Sequence, residues 1–246
     1  MNEPKYAGLT HRGRKRKRNE DTWAQDVGQG IFLVSDGMGG QAGGCLASRI
    51  VAEMLSPLVS QRVSDSTDII SSIVAEQLRE AIAELSDRVY AEASAQPGLR
   101  GMGATVVLAL VRDRHALIAH MGDSRAYLLR EGKLQQITHD HSLVQLLIET
   151  GDITPQEATE HPSRGQITRY VGMPGEALPE VLLIDIAAGD RLLLCTDGLT
   201  GMVPEQELCD IMLNQRTPRQ ACRALIAAAN EAGGLDNITA LVVDVH

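Results

Sequence analysis

The pattern of apolar residues predicts an α+β fold in which strands and helices form separate layers. Three consecutive apolar runs have the length of buried strands, at 104–111, 115–122 and 125–130. Segments with apolar residues at helical spacing lie on either side of this block, at 69–89 and 205–232. Because strands and helices occur in blocks and not in strict alternation, a doubly wound parallel sheet is not expected.

In the first half of the chain, a polar and basic segment over residues 1–22 precedes the first predicted strand, "GIFLVSD" at 30–36. A helix is predicted from Cys45 onward, and Pro57 is expected to close it. The amphipathic helix at 69–89 follows, and a loop that contains glycine leads into the block of three strands.

In the second half, the turn "EGK" at 131–133 connects that block to the short strand "LQQIT". Residues 141–178 have mixed helix and loop character. The remaining predicted elements are strands at 181–186, 191–197 and 237–245 and the helical segment at 205–232. Because no internal repeat or low-complexity linker divides the chain, we expect one domain over residues 1–246.

The composition argues against several classes of function. The formal net charge of −9 and an aromatic content of 2% disfavour a general nucleic-acid binder. No apolar run approaches the ~18 residues of a membrane span, and the N-terminal region has no apolar core typical of a signal peptide. The four cysteines form no CxxC pair, so we expect neither a zinc site nor a disulfide framework, but reduced thiols in a cytoplasmic protein.

Four apolar runs share one feature, an aspartate next to glycine or another small residue. They are "FLVSDG" with Asp36, "AHMGDS" with Asp123, "LLCTDG" with Asp197 and "GGLDN" with Asp236. Mg²⁺ and Mn²⁺ prefer oxygen ligands, and a neighbouring glycine lets a carbonyl group or a water approach. Each aspartate alone also fits an ordinary turn at a strand end. Together they favour a pair of cations about 3.5–4 Å apart, as in hydrolases that activate water.

A basic segment supplies the complement to these acids. Six of the 23 basic residues lie between Arg12 and Arg18, and Glu20 and Asp21 follow in "RKRKRNEDT". Such a run also fits a solvated arm or a localisation signal. Bases followed directly by Asn-Glu-Asp favour phosphate capture beside a metal site, because a guanidinium binds phosphate through its planar fork.

Six motifs in this order carry a family resemblance. They are "RKRNED", "DGMGGQAGG", "MGATVV", "GDSRAY", "LLCTDGL" and "GGLDNITALVV". Together they resemble the metal-dependent protein phosphatases of type 2C, the PPM family, in their bacterial form. The resemblance extends over about residues 8–245 and implies a four-layer α-β-β-α sandwich. In that fold two antiparallel β-sheets are flanked by helices, and the metals lie in a cleft at one end.

The resemblance also implies a set of metal ligands. Asp36 is expected to bridge two Mn²⁺ or Mg²⁺ ions, and the carbonyl of Gly37 to bind the first of them. Asp197 and Asp236 are expected to bind the second ion. Asp123 matches a ligand of a third, weaker ion that it shares with Asp197.

Further residues match the family's supporting roles. Arg16 matches the phosphate-binding arginine, and Glu20 is expected to act through a water held by the metals. Asp21 and Asn237 are expected to hold the ligands in place through hydrogen bonds. Residues 141–178 match a mobile flap that shapes access for the substrate.

The chemistry implied is hydrolysis of phosphomonoesters by direct attack of a water that bridges the two ions, with Asp36, Arg16 and Glu20 as the catalytic residues. Two positions depart from the family, because relatives carry a histidine where Met38 or Gln41 stands. The proton donor for the leaving alkoxide is therefore left open.

The leading hypothesis is a phosphoserine/phosphothreonine protein phosphatase of the bacterial cytoplasm. It is expected to be monomeric, to oppose a Ser/Thr kinase and act on that kinase's substrates, and to have no nucleic-acid or membrane partner. The alternative is a catalytically weak pseudophosphatase that binds phosphoproteins, which predicts broken metal ligands, whereas the four aspartates are intact. A third hypothesis, binding of nucleic acid or acidic surfaces through residues 12–18, predicts salt-sensitive binding without metal.

Overall fold

The computed structural model describes residues 5–39, 43–63 and 68–245. The strands are β1 (Lys5–His11), β2 (Thr22–Asp26), β3 (Ile31–Ser35), β4 (Gly37–Met38), β5 (Gly103–Ala104), β6 (Val106–Arg112), β7 (His115–Met121), β8 (Arg125–Arg130), β9 (Lys133–Gln136), β10 (Glu180–Asp185), β11 (Arg191–Cys195) and β12 (Ile238–Asp244). The helices are α1 (Gly43–Arg62), α2 (Ser72–Ala95), α3 (Leu143–Glu149), α4 (Pro155–Glu160), α5 (Asp197–Thr200), α6 (Glu205–Asn214) and α7 (Pro218–Glu231).

Two five-stranded antiparallel sheets form the centre of the molecule. The first has the strand order β1-β12-β11-β8-β9, and the second has the order β10-β7-β6-β3-β2. The short strands β4 and β5 pair with each other outside these sheets. The α+β prediction is therefore confirmed.

Alternation along β3 shows how the layers pack. Every residue of this strand is buried, because both faces of its sheet are covered. Ile31 and Leu33 pack with the buried faces of α1 and α2, whereas Phe32 and Val34 point towards the other sheet. Successive side chains of a strand point to opposite faces, so one apolar run serves two cores.

The same alternation on the other sheet completes the sandwich. Leu193 and Val242 pack with α6 and α7, and their neighbours Leu194 and Leu241 pack between the sheets. The order of layers is helices, sheet, sheet, helices, which confirms the four-layer α-β-β-α sandwich implied by the resemblance. Among the described residues, no helix is both long enough and apolar enough to cross a lipid bilayer.

Three details of the predicted elements are wrong. Helix α1 continues through Pro57 to Arg62, because this proline is exposed and water can solvate the carbonyl that it leaves without a partner. The helical segment 205–232 is two helices separated at Gln215–Thr217. The polar segment at 1–22 contains β1 and the start of β2, edge strands that pair with β12 and β3.

Residues 141–178 contain the short helices α3 and α4 and connect β9 to β10. The segment has two isolated bridges. Ser142 to Ile167 lies within the segment, and Ala104 to Val171 ties it to the sandwich. The second bridge pairs Val171 with β5, which in turn pairs with β4. The segment therefore contacts the loop that follows β3.

The strand ends that carry the four aspartates lie at one end of the sandwich. In one sheet, the ends of β3 and β7 flank the start of β6. In the other sheet, the end of β11 pairs with the start of β12. These registers place Asp36, Asp123, Asp197 and Asp236 on the same rim of the two sheets.

Candidate active site

Asp36 follows β3 directly, and its backbone is held by the start of β6. Its amide N–H donates to the hydroxyl of Thr105 at 2.9 Å, and its carbonyl accepts from the Thr105 amide at 2.8 Å. The Thr105 hydroxyl also lies 2.7 Å from that of Ser124. Because Ser124 follows Asp123, this chain of hydroxyl groups links the backbone positions of two of the four aspartates.

The turn after Asp36 brings several oxygen atoms together. A Cβ atom at Gly37 would lie 2.0 Å from the carbonyl oxygen of Gly44, so only glycine fits this position. A Cβ atom at Gly44 would lie 2.6 Å from a carboxylate oxygen of Glu20 and 2.7 Å from the Gly37 carbonyl oxygen. The Glu20 carboxylate and the Gly37 carbonyl therefore converge on one point beside Asp36.

Asp197 and Asp236 come from different elements that touch closely. Asp197 is the first residue of α5 and lies two residues after the end of β11, and Asp236 lies two residues before β12. A Cβ atom at Gly198 would lie 1.8 Å from the carbonyl oxygen of Asn237. The absence of a side chain at Gly198 lets α5 rest against the loop that carries Asp236.

The basic segment folds over the same loop. The amides of Arg14 and Lys15 donate to the carbonyl of Gly234 at 2.7 and 3.2 Å. This contact places Arg16 beside Asp236, and its Nη2 atom donates to Oδ2 at 2.5 Å. The hydrogen bond to Asp236 raises the pKa of Arg16, which stays charged.

Asn237 fixes the shape of the basic segment. Its Nδ2 atom donates to the carbonyls of Arg12 and Arg18, at 2.9 and 2.8 Å. Its Oδ1 atom accepts from the amide of Glu20 at 2.8 Å. One side chain therefore closes the loop that contains Arg16 and positions the backbone of Glu20.

Asp21 lies beneath these groups and is buried. Its Oδ2 atom accepts from the hydroxyls of Thr196 and Thr239, at 2.9 and 2.7 Å. Burial raises the pKa of Asp21 to about 7, against the opposing effect of the two threonine hydroxyls. Since Thr196 precedes Asp197, Asp21 helps to hold the start of α5.

The aspartate cluster concentrates negative charge in a desolvated place. Burial raises the pKa values of Asp36, Asp123 and Asp197, and the neighbouring carboxylates raise those of Asp36 and Asp123 further. One Asp197 oxygen, Oδ1, is buried without a hydrogen-bond partner among the described residues. Crowded carboxylates and an unpaired oxygen are the donor set that Mg²⁺ or Mn²⁺ requires, so the residues fit the cations that the fold implies.

A cavity of about 540 Å³ lies between this cluster and residues 141–178. Asp123, Asp197 and Asp236 line one side, and Ile148 and Arg164 are among the residues that line the other. At its edge, Arg125 makes two hydrogen bonds to the carboxylate of Asp140, at 2.8 and 2.7 Å. Asp36, Arg16 and Glu20 are not among the residues that line this cavity.

None of the described residues that line the cavity is a histidine. His141 is buried and His139 is exposed, and the ring of His161 accepts a hydrogen bond from the amide of Ser163 at 3.1 Å. Met38 is the second residue of β4, and Gln41 lies outside the described residues. The described part of the chain therefore offers no histidine at the cavity to protonate a leaving group.

Three hydroxyl groups of the site were not predicted from the sequence. Thr105, Thr196 and Thr239 bind the backbone or side chain of acidic residues, as described above. The position of Thr196 directly before Asp197 is the one local feature of the sequence that could have indicated its role. The contact between Asp21 and Thr239 joins residues far apart in the chain and has no local signal.

Comparison with known proteins agrees with this geometry. The family model described as "Protein phosphatase 2C" matches residues 7–232. The chain belongs to the protein phosphatase 2C family. Within this family, it is 38% identical to "Serine/threonine phosphatase stp" of Listeria monocytogenes, over 96% of this chain and 93% of the relative.

Solved structures of family members have the same fold. The serine/threonine phosphatase PstP/Ppp of Mycobacterium tuberculosis superposes with a TM-score of 0.86 and 34% identity, covering 99% of each chain. A structure of the catalytic domain of PstP in complex with two manganese ions has a TM-score of 0.82 and 32% identity, covering 98% of this chain and 97% of that one.

The family assignment decides between the hypotheses. The chain is a serine/threonine protein phosphatase of the 2C type and a metal-binding hydrolase. The pseudophosphatase alternative is not favoured, because relatives named as phosphatases match nearly the full chain and the four aspartates of the site are present.

Proposed function

We propose that this phosphatase hydrolyses phosphoserine and phosphothreonine in proteins with two Mn²⁺ or Mg²⁺ ions held by the aspartate cluster. The convergence of Asp36, Asp123, Asp197 and Asp236 on one rim of the sandwich carries this proposal. Burial and the repulsion of neighbouring carboxylates raise the pKa values of Asp36, Asp123 and Asp197, which a bound cation would offset. The manganese complex of the PstP catalytic domain supports it.

In this proposal the ligands divide as follows. Asp36 would hold both ions, the carbonyl of Gly37 would help to hold the first, and Asp197 and Asp236 would hold the second. Asp123 joins Asp197 at a third, weaker site. When bound, the cations supply a Lewis acid for the phosphoryl group and lower the pKa of water.

The other residues of the site position the substrate and hold the ligands. Arg16 exchanges the carboxylate of Asp236 for a phosphate oxygen, because its charged, half-exposed guanidinium can donate hydrogen bonds to either anion. Glu20 orients water beside Gly37. Asn237 keeps Arg16 and Glu20 in place, and Asp21 supports the start of α5 from below.

The cavity supplies the room for a substrate side chain. We propose that residues 141–178 form a flap over it, within one domain that spans residues 1–246. None of the described residues that line the cavity is a histidine. In this proposal the proton lost by the attacking water passes through solvent water to the leaving serine or threonine oxygen. Ile148 and Arg164 of the flap face the substrate from the side opposite the aspartates.

The partners follow from this activity. We propose that the phosphatase opposes a Ser/Thr kinase and acts on that kinase's substrates as a monomer. A location in the bacterial cytoplasm is supported by four unpaired cysteines and by bacterial relatives. The proposal includes both Mn²⁺ and Mg²⁺ as the ion used in the cell, because both ions accept the same oxygen ligands.

Hydrolysis of p-nitrophenyl phosphate and of a phosphothreonine peptide tests the proposal. We expect activity with Mn²⁺, none with EDTA, and a loss of at least about 100-fold in Asp36→Asn, since one lost metal contact removes several kcal/mol of transition-state stabilisation. The matched control is Asp87→Asn on the exposed face of α2, which should be fully active. A folded, Mn²⁺-loaded chain without activity, or an active Asp36→Asn variant, would contradict the proposal.

A further inference from the structure

Two buried histidines and a glutamate form a group beside the second sheet. The group is distinct from the four aspartates, but His141 contacts the amide of Gly122, which precedes Asp123. His120 lies near the end of β7, and Glu180, the first residue of β10, is its partner in the strand register. His141 stands at the beginning of the flap. One ligand atom from each lies within 4.8 Å of the other two, and the two imidazole rings stack with centroids 4.5 Å apart.

His120 presents a free lone pair to this group. Its Nε2 atom lies 2.9 Å from the carbonyl oxygen of His139, which only accepts hydrogen bonds, so the ring proton is on Nε2. The Nδ1 atom is therefore unprotonated, and it is buried without a hydrogen-bond partner among the described residues. Histidines that bind metals commonly donate their other N–H to a backbone carbonyl in this way.

His141 presents the second nitrogen. Its Nε2 atom is also buried without a hydrogen-bond partner in the described part of the chain, and it lies 3.6 Å from a carboxylate oxygen of Glu180. Its Nδ1 atom accepts a long hydrogen bond of 3.3 Å from the amide of Gly122. Because Nδ1 accepts, the ring proton is on Nε2 in the metal-free protein. A metal on Nε2 requires this proton to move to Nδ1, which breaks the hydrogen bond from Gly122 and requires the ring to turn away from that amide.

Burial is the main reason that both imidazoles are neutral. Burial lowers the pKa of His120 to about 3, and burial together with Arg169 lowers that of His141. Glu180 and Asp140 oppose the charge of Arg169 at His141. A neutral imidazole is the form that binds a metal, so no proton has to be displaced from the ligand nitrogen of His120 near pH 7.

We propose that His120, His141 and Glu180 form a binding site for a Zn²⁺-class transition metal ion. Two imidazoles and one carboxylate are a ligand set typical of Zn²⁺, whereas the oxygen-only aspartate cluster suits Mg²⁺ and Mn²⁺. Tetrahedral bonds of about 2.0–2.2 Å place ligand atoms about 3.4 Å apart. Atoms that lie up to 4.8 Å apart in the metal-free protein therefore have to approach one another on binding. The expectation of no zinc site was based on cysteine spacing, and this ligand set contains no cysteine.

The site has a structural consequence for the flap. His141 marks the start of the flap and Glu180 follows its end, whereas His120 belongs to the sheet. A bound ion ties both ends of the flap to β7. Glu180 is partly exposed on the edge strand β10, which leaves a path for the ion from solvent.

Zn²⁺ binding to the intact chain tests the proposal. Equilibrium dialysis is done with Mg²⁺ in excess, so that the aspartate cluster is occupied, and Co²⁺ absorption reports nitrogen ligands. We expect a single Zn²⁺ ion to bind the wild type, Asp36→Asn and His139→Gln, the last being a control because only its carbonyl contacts His120. Affinity should fall at least about tenfold in Glu180→Gln and further in His120→Gln.

Two results would overturn the site. One is a wild-type chain that binds no Zn²⁺ beyond what Asp36→Asn abolishes, and the other is equal affinity in Glu180→Gln and His139→Gln. Circular dichroism checks the fold of His120→Gln, whose ring is fully buried. If this variant is unfolded, Glu180→Gln carries the test, because its side chain is partly exposed.

Discussion

The Nη2 atom of Arg16 donates a hydrogen bond to the Oδ2 atom of Asp236 at 2.5 Å. We propose that this guanidinium binds phosphate and that this carboxylate binds a cation. Each partner is therefore engaged by the other when neither substrate nor metal is bound. Cation binding at Asp236 and release of Arg16 for phosphate are consequently coupled.

Replacement of Arg16 by alanine tests this coupling. We expect KM for a phosphothreonine peptide to rise about 10–100-fold, because a charge-assisted hydrogen bond is lost. Mn²⁺ should bind up to about fivefold more tightly, because the competing surface ion pair is gone. Initial rates and calorimetric Mn²⁺ titration measure the two effects. Arg12→Ala, in the same basic segment, is the control, and equal effects in both variants would contradict the coupling.

Asn237 is expected to matter for stability as well as for activity. Asn237→Ala removes hydrogen bonds to Arg12, Arg18 and Glu20, each worth about 1 kcal/mol, so the free energy of unfolding should fall by about 2–4 kcal/mol. Urea denaturation measures this change. Asn214→Ala, at the exposed end of α6, should change stability by less than about 0.5 kcal/mol. A stable Asn237→Ala variant would show that the basic segment is held by other contacts.

Asp21 should make the stability of the metal-free protein depend on pH. Its pKa is raised to about 7 in the folded state, so its stabilising contribution is complete below the usual carboxyl pKa and is lost as pH rises through about 7. Relative to the wild type, Asp21→Asn should therefore gain stability between pH 4 and pH 7, by up to about 4 kcal/mol.

Urea unfolding in EDTA across this pH range measures the difference between Asp21→Asn and the wild type. The asparagine oxygen still accepts from Thr196 and Thr239, so the packing is retained. Asp26→Asn, near the end of β2, provides a control in the same region. Parallel stability curves for Asp21→Asn and the wild type would mean that Asp21 titrates normally in the folded protein.

The paired groups Arg125 and Asp140 should contribute more than a surface ion pair. Asp140→Asn leaves the partly buried Arg125 guanidinium without its counter-charge, so we expect a loss of about 3 kcal/mol in urea unfolding. Asp185→Asn removes the exposed carboxylate that faces His115 and should cost less than about 1 kcal/mol. Similar losses in both variants would show that the Arg125 pair is solvated.

Most strands that were predicted correctly are buried on both faces, although the partly exposed edge strands β9 and β10 were also predicted. β3, β7 and β11 read as apolar runs because one side of each packs on helices and the other on the opposite sheet. β1 and β2 were missed because they are edge strands with polar residues. Their hydrogen bonds to β12 and β3 determine their conformation, and no local pattern reports them.

The same distinction applies to the site. The positions of Asp36 and Asp197 were predictable because each lies within two residues of the end of a strand with a continuous apolar sequence. The bonds from Asn237 to Arg12 and Arg18 were not, since they depend on how β12 pairs with β1. The grouping of His120, His141 and Glu180 could also not be predicted, because it depends on strand register and not on the spacing of these residues along the sequence.

The pairing of β1 with β12 has a consequence for how the enzyme is made. Lys5 lies opposite Asp244, so this ladder joins parts of the chain that the ribosome produces at very different times. Such long-range pairing makes folding slow. Arg16 and Glu20 obtain their positions from residues 234–237, and a nascent chain that lacks them has no assembled centre. The groups that are expected to bind phosphate and water therefore reach their positions only after residues 234–237 have been synthesised.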